Sequence, residues 1–209
     1  MSSEQVIINR DRIFKKLRFN DGSEAYKNAD RIFDELSSLV QDNIRLTALY
    51  KLTDSEELNI EELYNFEKYV ICLVSSDDKI ISETSNEMMS SGEYLKGYLL
   101  HEIATDAIFT ASDALNKEVE TEVVKMGYRI CGHYAPGDGK IDLAMQGALL
   151  NKLKREAEIN VHVNNEHILI PGKSLLYVLG LKQMQSTDGL EEYRACGQCG
   201  NLDCDYRKE

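Results

Sequence analysis

Apolar residues fall at Ala25, Ala29, Ile32, Phe33, Leu36, Leu39 and Val40. Recurrence at three and four positions predicts a helix over residues 24–40 with one buried face. A short strand is expected over 47–52, then an acid-rich, exposed stretch over 54–67. Residues 69–74 (Tyr-Val-Ile-Cys-Leu-Val) form a dense apolar run closed by Ser75-Ser76-Asp77-Asp78, which predicts a buried central strand with Cys72 as a small hydrophobe. The longest helix is expected over 94–126. Its apolar face is traced by Leu95, Tyr98, Leu99, Ile103, Ala107 and Ala111, then Leu115, Val119 and Val123. Ala104, Ala107, Ala111 and Ala114 leave room for another element to approach. Gly127 is suited to end the helix, because glycine tolerates the left-handed conformation beyond a helix terminus.

A strand over 128–134 then runs into Ala135-Pro136-Gly137-Asp138-Gly139. Proline fixes φ at the second position of a turn and glycine supplies positive φ after it, so a tight loop is expected. Asp142 can cap a helix from Leu143 to about Arg155. Residues 159–163, 167–170 and 175–179 are three further short β candidates. Helices dominate early and strands cluster late, without repeats or a low-complexity linker. This order favours an α+β layered domain over a regular βαβ alternation. The expected division is one domain over residues 1–181 and a cysteine-containing tail over 182–209.

Charge narrows the list of partners. The 209 residues carry a net charge of -12, opposed to phosphate-backbone binding and to anionic membrane surfaces. No apolar run approaches the length of a membrane span. The first residues, Met-Ser-Ser-Glu-Gln, lack the basic-then-apolar order of an export signal. A cytoplasmic protein with no nucleic-acid or membrane partner is the expectation.

Three of the five cysteines, Cys196, Cys199 and Cys204, crowd into nine positions of the tail. Two thiols at Cys-x2-Cys spacing, followed by Gly200, have the form of a metal knuckle. Three thiolates could hold an iron–sulfur cluster or zinc with one further ligand, for which Cys131, His133 and Asp205 are candidates. The alternative is a solvated tail whose thiols stay free.

Residues His133, Tyr134, Ala135, Pro136, Gly137 and Asp138, then Gln146, then Pro171-Gly172-Lys173-Ser174 leading into 175–181, together resemble the vitamin B12-dependent methionine synthase activation domain family. That family carries a strand, an Arg-x-x-Pro-Gly-Tyr loop, a helix with an early glutamine, and a Pro-x-x-Ser segment before an apolar strand. The resemblance covers most of the chain to Leu181 and is specific at the two loops. It implies an α+β domain with a central antiparallel sheet flanked by helices. It also implies S-adenosylmethionine binding by residues 133–138, Gly172 and Ser174. Function would follow as reactivation of a corrinoid methyltransferase such as methionine synthase, by reductive remethylation of its oxidised cobalamin. A flavodoxin- or ferredoxin-like donor would supply the electron. No Asp-x-His-x-x-Gly corrinoid motif occurs in the chain, so cobalamin would come on the partner.

Two positions depart from the pattern. His133 stands where the family has arginine, and a neutral imidazole lacks the fixed charge and forked donors that suit a carboxylate. Asp138 stands in place of tyrosine, where its charge could attract a sulfonium or repel the ligand's carboxylate. Two other readings therefore stay open: a corrinoid-protein interaction module that has lost the donor site, and a small redox protein working through the tail cysteines. A hydrolase is disfavoured, since no nucleophile elbow or His-Glu-x-x-His motif occurs.

Overall fold

Asn9 and Ser23 start the first two helices by accepting, through their side chains, the amide hydrogens of Arg12 and Tyr26. Such caps satisfy amides that a helix start otherwise leaves unpaired. The helices run over Arg10–Lys16 (α1) and Glu24–Asn43 (α2). This computed structural model describes residues 6–54, 60–154 and 159–184. They divide into a helical unit, drawn from residues up to Leu46 and from Ser76–Ala111, and a sheet unit, drawn from Thr47–Ser75 and residues from Ser112 onward.

The helical unit adds Lys79–Ser90 (α3) and the first part of Tyr94–Lys125 (α4). Phe14 of α1 meets Phe19, Tyr26 and Phe33 edge-on, the arrangement favoured by ring quadrupoles. Ala29, Phe33, Leu36 and Val40 of α2 close the same core with Leu99, Leu100, Ile103, Ala104 and Ala107 of α4. The buried stripe of α4 differs from the expected one: Tyr98 is exposed and Leu100 is buried. Ala104 and Ala107 are buried as expected, whereas Ala114 is exposed.

Charged residues fix α1 in place. Asp106, fully buried on α4, accepts from the Asn9 amide at 2.7 Å and from Arg12 Nε at 2.5 Å. Arg12 also reaches Thr110 Oγ1 at 2.6 Å, and Lys16 pairs with Glu102 at 2.6 Å. A carboxylate buried without such donors would cost several kcal/mol, so these bonds fix which turn of α1 meets which turn of α4.

In the sheet unit four strands form an antiparallel sheet in the order β1-β2-β6-β3. They are Arg45–Asp54 (β1), Lys68–Asp77 (β2), Tyr128–Tyr134 (β3) and Ser174–Gln183 (β6). His162–Val163 (β4) and Leu169–Ile170 (β5) make a separate small hairpin. The helix Met145–Lys154 (α5) packs on one face, where Leu149, Leu150 and Leu153 join Ile71, Leu73, Leu176 and Val178. On the other face lies the last part of α4, from which Ser112 and Asn116 bond to the Tyr177 hydroxyl. The expected α+β class, with a central antiparallel sheet flanked by helices, is what the structure has.

Strand β3 carries an extra residue: Ile130 pairs with Leu181 but Gly132 pairs with Gly180, leaving Cys131 as a bulge. Side chains alternate along a strand, so one inserted residue exchanges faces for everything after it. His133 is thereby turned to the α4 face and Tyr134 to the α5 face, where Tyr134 packs against the leucine core.

The stretch expected to be exposed over 54–67 is partly core instead. Ile60, Leu63 and Phe66 are buried, spaced three apart along a 3-10 turn at Glu61–Leu63. Helices α1 and α3 occupy residues for which the apolar pattern predicts nothing. Helix α5 begins at Met145, after a turn in which Asp142 accepts the Ala144 amide.

Phe66 needs two missing side chains. A Cβ at Gly180 would stand 2.7 Å from its ring, and one at Gly132 would stand 2.8 Å away. Gly180→Ala should therefore lower unfolding free energy by about 1–3 kcal/mol, the usual cost of overpacking. In a denaturant double-mutant cycle, adding Phe66→Leu should return part of that loss, whereas strictly additive costs would contradict this packing.

Candidate functional site

The loop after β3 is held by its own carboxylate. Asp138 Oδ2 accepts the Ala135 amide at 3.0 Å and Oδ1 accepts the Lys140 amide at 3.1 Å. The Asp138 amide donates to the Ala135 carbonyl at 3.1 Å, and the Gly137 amide donates to the Ile141 carbonyl at 2.8 Å. Gly137 has φ of +90°, a conformation open to glycine and strained for most residues. Pro136 bridges to Ile141, and the Lys140 ammonium lies 5.2 Å from the centre of the Tyr134 ring.

The second predicted loop precedes β6. Ser174 Oγ lies 2.7 Å from the Pro171 carbonyl, to which it donates, and 2.8 Å from Ser75 Oγ on β2. Gly172 is exposed. Because β3 and β6 are antiparallel, β3 ends where β6 begins: Tyr134 pairs with Val178, four residues beyond Ser174. At about 3.3 Å per residue the two loops leave the same end of the sheet roughly 13 Å apart. Tyr134 and Ser174 both face the α5 side, since each shares its face with Val178.

His133 does not join them. Its ring lies on Tyr177 on the opposite face, with ring centres 4.7 Å apart and planes inclined by 23°. Burial lowers the His133 pKa below the ordinary imidazole value, although the charge of Asp138 pulls the other way. Beneath it, the Tyr177 hydroxyl accepts from Ser112 Oγ at 3.0 Å and donates to Asn116 Oδ1 at 2.8 Å. Burial pushes both Tyr177 and the nearby Cys72 thiol well above their ordinary values, so both stay neutral. Tyr177 was not among the sequence candidates, because an aromatic inside an apolar run reads as core.

Cys131, offered as a fourth metal ligand, is half-buried at the β3 bulge. Among the described residues no group of three or more His, Cys, Asp or Glu side chains is placed to hold a metal. Cys196, Cys199, Cys204 and Asp205 lie outside the described residues, as does nearly all of the expected tail over 182–209. No described helix is long and apolar enough to cross a membrane.

Helix α5 joins the two loops. Its inward stripe is Gln146, Leu149, Leu150 and Leu153, and the Gln146 Nε2 donates to the His167 carbonyl at 2.8 Å in the β4–β5 turn. In that turn Asn164 Oδ1 accepts the amides of Glu166 and Ile168 at 3.0 and 2.8 Å. The chain matches no protein-family model and no curated protein.

A histidine whose folded-state pKa is lowered makes a simple pH prediction. Its neutral form is the stable one, so its contribution is complete above pH of about 6.5 and is lost as pH falls below that value. Urea unfolding between pH 7.5 and 5 should show a loss for the wild-type chain, at most about 1.4 kcal/mol per pH unit from one proton. In His133→Phe, which keeps a stacked ring, that loss should be smaller; identical pH profiles would contradict the buried neutral imidazole.

Proposed function

We propose that this protein is an S-adenosylmethionine-binding accessory protein for a corrinoid-carrying methyltransferase, supporting its reductive remethylation. One observation carries the reading. The two loops that resemble the activation domain family leave the same end of neighbouring antiparallel strands, and Tyr134 and Ser174 share a sheet face there. Binding residues are disproportionately carried by loops that a rigid scaffold positions. The chain's part in the reaction is to bind and orient the methyl donor, with cobalamin brought by the partner and the electron by a flavodoxin- or ferredoxin-like protein. The Cys196, Cys199 and Cys204 thiols, by spacing alone, would serve the same reductive chemistry by holding an iron–sulfur cluster, whereas zinc there would be structural, having no redox chemistry.

A second reading, an interaction module without a donor site, is favoured by a different observation. The His133 ring is stacked on Tyr177 and offers no fixed cation for the ligand's carboxylate, and the Asp138 carboxylate accepts amides of its own loop.

Calorimetric titration of S-adenosylmethionine into anaerobically purified protein separates the two readings. The first expects saturable one-to-one binding, and His133→Arg is expected to change affinity little, because that side chain lies on the sheet face opposite Tyr134 and Ser174. Absence of binding by both forms, together with capture of a corrinoid protein, would leave the interaction module. Metal and sulfide analysis of the same preparation reads the tail: a metal-free, colourless protein removes the cluster and zinc from the proposal.

A further inference from the structure

We draw no further inference here: the strongest candidate, the surface patch beside the β3 edge of the sheet where the exposed Lys140 and Lys182 lie over the Tyr134 and Phe66 rings, carries nothing, because nothing in the structure shows what anion or partner covers it.

Discussion

Strand β6 is paired along both edges and covered on both faces, and the placement of every candidate residue in the sheet unit follows from its register. Between Leu176 and Leu181 its residues are buried. Leu176 and Val178 meet the leucines of α5, while Tyr177 is bonded to α4. A slip of one residue would send leucines toward Ser112 and a phenol into the leucine core, a large penalty on both faces at once. The register is fixed further by Gly132 and Gly180, which face each other across β3 and β6 and admit the Phe66 ring. Once β6 is set, the ends of β3 and β6 are set, and with them the two loops.

Elements with a strong period were legible from sequence. Helix α2, the strand over Tyr128–Tyr134 and the end of α4 at Gly127 fall where the apolar pattern puts them, because each shows a full face or a dense run. What escaped was whatever depends on a partner distant in sequence. Ile60, Leu63 and Phe66 are too few to outweigh the acidic residues around them, and the burial of Phe66 needs a glycine slot formed by β3 and β6. Helix α1 is seven residues long and takes its charged contacts from Asp30 of α2 and from Asp106 and Glu102 of α4, so no local signal announces it.

The candidate loop shows the same division. Pro136 and Gly137 spell out a tight corner, and a tight corner is present. The side-chain directions are another matter, because a bulge at Cys131 decides the face of His133. A bulge leaves little trace in one sequence: the strand reads as seven regular residues either way. Asp138 reads as an exposed charge available to a ligand, yet its two oxygens close the loop on itself. In both cases the residue type was informative and its partner was not.

Tyr177 binds Ser112 and Asn116 through one oxygen, and those two residues are a single helical turn apart on α4. A phenol oxygen spanning both works as a vernier. Sliding the helix by one residue, about 1.5 Å along its axis, would also turn it by about 100° and carry both partners out of reach. Apolar packing alone tolerates small slips, since one methyl resembles another, but a shared oxygen admits one depth and one rotation. The buried hydroxyl thus acts as an index mark for the helix against the sheet, and its value lies in position rather than in chemistry.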